Sequence, residues 1–126
     1  MSMRTPLKTA RNLGSAKDGT DHFWKQRVTG VANIFLGLFL VWLIASLLGA
    51  DHAAVKARLA NPLMSLALLA TIVSGTVHMR LGMQTIIEDY VNGEAMKIVL
   101  LMLNTFFAAL IALASIFAVL KLSFGA

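Results

Sequence analysis

His78 is the side chain in this sequence that is best suited to binding a metal. It stands twelve residues before Tyr90, which corresponds to about 18 Å along a helix. If Tyr90 lies at a membrane surface, His78 lies near the middle of a hydrocarbon core about 30 Å thick. An ionisable side chain at that depth is costly and is therefore a functional candidate. A neutral imidazole can ligate haem iron, or it can form a hydrogen bond to a neighbouring helix.

Small and polar residues flank His78 on one face of the predicted helix. At 100° per residue, two glycines fall within about 60° of His78, at positions i−3 and i+4. They leave room for a large flat group such as a porphyrin, although small residues also allow close helix packing. The whole stripe consists of Thr71, Ser74, Gly75, His78, Gly82, Thr85 and Asp89.

Asp89 and Tyr90 end the same predicted helix. A phenol beside a carboxylate can donate a hydrogen bond to a quinone and pass protons to it. Tyrosine is also common at membrane interfaces without any chemical role, and an aspartate beside it is then simply solvated.

Two arginines lie near this helix or within it. Arg27 stands at the entry to the first apolar segment, where it can meet a carboxylate or propionate of a cofactor. Arg80 points about 200° away from His78. We interpret Arg80 as an interhelical hydrogen-bond or salt-bridge partner, or as a contact for an anionic cofactor group. Asn104 is interpreted as an interhelical hydrogen-bond donor or acceptor.

The composition places these residues in a membrane. The chain has 126 residues, of which 58% are hydrophobic and 13% are charged, and it has no cysteine. An ordinary soluble domain is about 25% charged. This composition excludes a disordered chain, a nucleic-acid-binding domain, a disulfide framework and a thiolate metal site.

Three segments are long and apolar enough to cross a bilayer as helices. We predict an all-α integral membrane fold with an arm at residues 1–27, a transmembrane domain at 28–122 and a short tail at 123–126. The spans are predicted at about 28–49, 62–87 and 95–122.

The distribution of basic residues predicts the orientation of the chain. The arm and the second connection carry seven Lys and Arg residues, against three on the first connection and the C-terminal end. Because cytoplasmic segments collect Lys and Arg, the N-terminus is expected in the cytoplasm.

Two sequence runs resemble a known family. They are HMRLGMQTIIEDY, from His78 to Tyr90, and GSAKDGTDHFWKQRVT, from Gly14 to Thr29. Both are similar to the hydrophobic membrane anchor subunit of succinate dehydrogenase, particularly in its alphaproteobacterial members. With the three-span layout, the resemblance covers nearly the whole chain.

The resemblance implies one half of a heterodimeric anchor bundle. His78 would be an axial ligand of haem b, with the second histidine on the sister anchor, the cytochrome b556 protein. Tyr90 would bind a ubiquinone carbonyl, Asp89 would support that site or its protons, and Arg27 would lie near the haem propionates. The iron–sulfur and flavoprotein subunits would dock on the cytoplasmic side of a bacterial inner membrane, or of the mitochondrial inner membrane. This chain would then be a non-catalytic subunit that oxidises no succinate itself.

Three other functions remain open from the sequence. A related fumarate reductase would look almost the same, and a structural anchor would need no redox residues. A small proton-coupled multidrug transporter is disfavoured, because such proteins usually have four spans and an acidic residue in the first.

Overall fold

The computed structural model describes residues 15–125, with side chains from residue 19 onward. The first fourteen residues of the predicted arm and Ala126 lie outside the described residues. Four helices account for most of the described chain. They are α1 (Ser15–Ser46), α2 (His52–Leu59), α3 (Pro62–Tyr90) and α4 (Glu94–Ser123).

The all-α prediction with three membrane-spanning helices is confirmed. Helices long and apolar enough to cross a membrane occur at Gly19–Ser46, Pro62–Tyr90 and Glu94–Ser123. The second and third spans have ends within three residues of the predicted 62–87 and 95–122. The first begins nine residues before the predicted start at 28 and ends three residues before the predicted end at 49, because the arm continues the helix and the helix ends at Ser46.

The arm at residues 1–27 was predicted as a segment separate from the first span. Its described part is instead helical and continuous with that span. Nothing between Ser15 and Ser46 interrupts the helix, since this stretch contains no proline. An ion pair between Lys25 Nζ and Asp21 Oδ2, 2.7 Å apart, joins residues one turn apart on α1. Such i,i+4 pairs favour the helical conformation.

The first connection contains a helix that the sequence analysis treated as a loop. Asp51 caps α2 by accepting a hydrogen bond from the Ala54 backbone N–H at 2.8 Å. Asn61 caps α3 by accepting from the Leu63 N–H at 2.9 Å, and Pro62 occupies the first turn, where its missing N–H costs nothing.

The three long helices form a row with α3 in the middle. Helix α3 packs against α1 and against α4, whereas α1 and α4 do not touch within the described residues. Two positions on opposite sides of α3 mark the contacts, since His78 lies beside α1 and the Arg80 carbonyl lies beside α4. This row leaves both of its broad faces uncovered.

Large apolar side chains cover the outside of the row. Phe35, Leu113 and Phe117 are each at least two-thirds exposed, and few apolar side chains are buried within the described part of the chain. Such extensive apolar exposure marks a membrane or protein contact surface. The fold therefore belongs in a bilayer, where lipid covers these side chains.

Candidate functional site

The contact between α1 and α3 is polar at its centre. His78 Nδ1 lies 3.1 Å from the hydroxyl oxygen of Thr29. One turn away, Ser74 Oγ donates to Asn33 Oδ1 at 2.7 Å. The predicted small and polar stripe of α3 therefore faces α1, and His78 is half-buried in that contact.

The hydrogen bonds of Thr29 assign the proton on His78. The Thr29 hydroxyl donates to the Lys25 carbonyl oxygen at 2.8 Å. A hydroxyl has only one proton, so when it is used in this bond the oxygen is the acceptor towards His78. We assign the imidazole proton to Nδ1 on this basis, from the hydrogen-bond network. The other nitrogen, Nε2, then has a free lone pair, and it forms no hydrogen bond to any described residue. Metal-ligating histidines commonly show this arrangement, with one nitrogen held by a neighbour and the other presented to the metal.

Glycines shape the surroundings of the imidazole. A Cβ on Gly30 would lie 3.4 Å from His78 Cε1, so the ring sits directly against the α1 backbone. Beside Gly75 there is open space within 4 Å, whereas the Gln26 side chain occupies the space beside Gly82. Of the two glycines predicted to make room on this face, only Gly75 has free space next to it.

A polar cavity of about 420 Å³ lies near the start of α1 and the end of α3. His22, Phe23, Gln26 and Arg27 line it from α1, and Gly82 and Thr85 line it from α3. The guanidinium of Arg27 stacks on the Phe23 ring at 4.8 Å from its centroid. The predicted site residue Arg27 therefore lies at the same α1–α3 contact as His78. It is closer to the start of α1 than Thr29, the residue that contacts His78.

Two polar atoms at this cavity are buried without a partner. His22 Nε2 and Gln26 Oε1 form no hydrogen bond with any of the described residues. Buried polar atoms in folded proteins are nearly always paired. The unsatisfied pair therefore indicates that water, a ligand or another chain supplies polar groups here.

Asp89 and Tyr90 are exposed at the end of α3. Tyr90 is 80% exposed, and neither side chain forms a hydrogen bond or ion pair with a described residue. The structure thus leaves both groups available to an external ligand, without bringing them into contact with Arg27.

The contact between α3 and α4 uses Arg80 and Asn104. The buried Asn104 amide donates to the Arg80 carbonyl oxygen at 2.9 Å. Arg80 Nε donates to Thr105 Oγ1 at 3.3 Å. The interpretation of both residues as interhelical hydrogen-bond partners is confirmed.

The sequence analysis missed the residues of α1 that surround His78. Thr29, Gly30 and Asn33 belong to a stripe of small and polar residues spaced three and four apart, which also includes His22, Gln26 and Gly37. That helical spacing in an apolar segment was the signal, and it complements the stripe on α3.

The fold and the site together define a multi-pass membrane protein with a half-buried imidazole, that of His78, held between two spans. The sequence also matches one known family over most of its length. Residues 1–119 match the family model of the succinate dehydrogenase/fumarate reductase transmembrane subunit, and the chain belongs to that family.

Individual relatives agree with this assignment. The succinate dehydrogenase hydrophobic membrane anchor subunit of Paracoccus denitrificans is 31% identical, over 97% of this chain and 94% of its own length. The subunits with the same description from Rickettsia bellii and Rickettsia conorii are 30% and 35% identical. These matches cover 92% and 82% of this chain, and 93% and 83% of the relatives.

Proposed function

We propose that this chain is a membrane anchor subunit of a succinate dehydrogenase complex, that it co-ligates haem b through His78, and that it helps to form the ubiquinone site. The single observation that best supports haem ligation is the contact of His78 Nδ1 with Thr29, which leaves Nε2 free to bind iron. Family membership supports the anchor role.

The residues present fit one half of a haem site. A b-type haem commonly has two axial ligands, and His78 is the only histidine within the three predicted apolar spans. No cluster of three or more His, Cys, Asp or Glu side chains occurs among the described residues. His22 precedes Thr29, the neighbour of His78, by seven residues, or about 10 Å along α1, so we assign the second ligand to another chain. The resemblance to succinate dehydrogenase anchors implies that this other chain is the sister cytochrome b556 anchor. When bound, the haem supplies a one-electron redox centre within the membrane.

The chain's own residues would hold that group in place. Thr29 fixes the His78 tautomer, and Gly30 lets the ring lie against α1. Arg27 lies where it can neutralise a propionate, and the unpaired His22 Nε2 and Gln26 Oε1 atoms support a polar ligand group in the adjoining cavity.

The quinone role is proposed for the end of α3. The Tyr90 phenol donates a hydrogen bond to a ubiquinone carbonyl oxygen, and Asp89 orients that phenol or passes protons to the site. Their exposure and their lack of partners within the described residues support this assignment. The rest of the quinone pocket belongs to other subunits.

The proposed assembly follows from the orientation of the chain. Its N-terminus lies in the cytoplasm and the membrane is the bacterial inner membrane. The flavoprotein and iron–sulfur subunits bind on the cytoplasmic side, near the end of α3, and they perform succinate oxidation. A fumarate reductase anchor is the second candidate, because the matching family model includes both complexes.

A visible spectrum of the complex tests this proposal. The tagged chain is purified gently from its native membrane, and the oxidised spectrum is subtracted from the dithionite-reduced spectrum. We expect a b-type haem signal and co-purification of flavoprotein and iron–sulfur subunits. Co-purification with a flat spectrum would contradict haem ligation but retain the anchor role, and absence of these subunits would contradict the anchor role itself.

A further inference from the structure

A groove on the side of the α3–α4 contact contains a charged side chain. This Arg80 groove has a volume of about 310 Å³, and its lining includes Thr76, Val77 and Arg80 from α3 and Thr105, Ala109 and Ala112 from α4. Arg80 is exposed at the groove. On α3 it points about 200° away from His78, so the groove is separate from the proposed haem site.

The guanidinium of Arg80 is largely unsatisfied within the described residues. Its Nε donates to Thr105, and its remaining N–H groups have no described acceptor. The described residues contain one ion pair, Lys25 with Asp21, and Arg80 takes no part in it. A guanidinium remains charged in proteins, and an unpaired charge in a membrane is costly. An acceptor from outside the described residues is therefore required.

The depth of Arg80 in the membrane excludes a lipid phosphate as that acceptor. Thr105 comes eight residues after Lys97 and sixteen before Lys121, which corresponds to about 12 Å and 24 Å along α4. The bond to Thr105 holds Arg80 Nε at this level, within the hydrocarbon core. Lipid phosphates lie outside that core, which is about 30 Å thick. An acceptor on a membrane-embedded helix meets the requirement.

This chain does not provide a carboxylate at that depth. All of its acidic residues lie near helix ends or in the arm, so a second copy in the same orientation would bring none to Arg80. Residues 1–14 contain three basic residues and no acidic one. The acceptor therefore belongs to a different polypeptide.

The wall formed by α4 suits the close approach of another helix. Ala109 and Ala112 are three residues apart, Ala109 is exposed and Ala112 is half-buried. Small residues allow membrane helices to pack with their backbones close together. We infer that a transmembrane helix of a different polypeptide packs in the Arg80 groove and places an Asp or Glu carboxylate against the guanidinium.

Photo-cross-linking in the intact native membrane complex tests this inference without requiring any cofactor. A photoreactive residue replaces Ala109 in the groove, and a control replaces Phe107, which lies about 160° around α4 from Ala109 at nearly the same depth. Phe107 is exposed and lines the opposite side of the α3–α4 contact. We expect the probe at 109 to label one other polypeptide, within a transmembrane segment that contains Asp or Glu. The Arg80→Leu substitution should lower this yield by at least about tenfold, since truncating one member of a desolvated charge pair is strongly unfavourable. The yield at 107 should not change.

Several results would overturn the inference. They are labelling of lipid alone or of a second copy at 109, a labelled segment without a carboxylate, and an unchanged yield in Arg80→Leu. If Arg80→Leu does not accumulate, a charge exchange replaces it, with Arg80→Glu combined with Lys at the partner's acidic position. Recovery of the cross-link by the double exchange supports the inference, and failure to recover it refutes it.

Discussion

Helix α3 meets α1 on one side and α4 on the other, and the two contacts use their polar groups differently. Beside α1, His78 bonds through one nitrogen to Thr29, and its second nitrogen has no partner in the described part of the chain. Beside α4, Asn104 bonds to the Arg80 backbone, and both groups of that bond are satisfied. Both contacts bring hydroxyls, amides and small side chains into an apolar helix pair.

The difference lies in what remains unpaired. The α1 side has a free imidazole nitrogen, and the adjoining cavity contains two unsatisfied buried atoms. The amide of Asn104, by contrast, is used within the chain. The group that remains largely unpaired on the α4 side is the Arg80 guanidinium, which is exposed at the groove and not buried in the helix contact. Since unsatisfied buried groups require a partner, polar residues alone do not identify a ligand site in a membrane helix. The pairing of each atom is the better guide, and on the α1 side it supports the proposed cofactor site.

The largest expected effect follows from replacing His78. His78→Ala removes the proposed iron ligand, so haem content should fall by more than about a hundredfold, beyond the loss typical of an outer-shell change. The reduced-minus-oxidised spectrum measures it, normalised to the amount of assembled complex. The matched control is His52→Ala, since His52 is exposed at the start of α2. Equal haem content in His78→Ala and His52→Ala would contradict haem ligation by His78. The α1–α3 contact would then have no ligand-binding role to distinguish it from the α3–α4 contact.

The next effect concerns the end of α3. Tyr90→Phe keeps the ring and removes the hydroxyl, so ubiquinone reduction should fall by about a hundredfold, as for the loss of one positioned donor. Succinate oxidation with an artificial acceptor should stay intact, because that reaction does not need the quinone. A parallel loss of both activities would indicate failed assembly and would contradict a quinone role for Tyr90.

A pair of threonine substitutions compares the two contacts directly. Thr29→Val removes the hydroxyl that holds His78, while Thr105→Val removes the one that meets Arg80. Loss of a group that orients a metal-bound histidine typically lowers affinity by about tenfold or more. We therefore expect weaker haem retention and a shifted haem reduction potential in Thr29→Val only, with recovery in Thr29→Ser. A similar shift in both valine variants would show that the effect is a general loosening of the bundle.

The sequence predicted the elements of this fold better than the environment of its site. Long apolar runs determine the three spans, since each must satisfy its own backbone in lipid. The stripe around His78 predicted which side of α3 meets a neighbour. The stripe did not predict that Thr29 and Gly30 contact the imidazole, because this contact depends on the axial position of α1 relative to α3. The helical arm was missed as well, since its polar composition lacks the hydrophobic signal used to find spans.

The smallest effect is expected on the α4 side. Asn104→Leu replaces the amide by an apolar group of similar size and removes the bond to the Arg80 carbonyl. Interhelical hydrogen bonds in membranes contribute about 1 kcal/mol, so the unfolding free energy should fall by that order. Thermal unfolding of the assembled complex in mild detergent measures the change, and the haem spectrum should remain that of the unmodified protein. Because both groups of this bond belong to the chain, its loss should weaken packing without altering the ligand. A changed haem spectrum in Asn104→Leu would mean that the two sides of α3 are coupled, and the α4 contact would then contribute to the site.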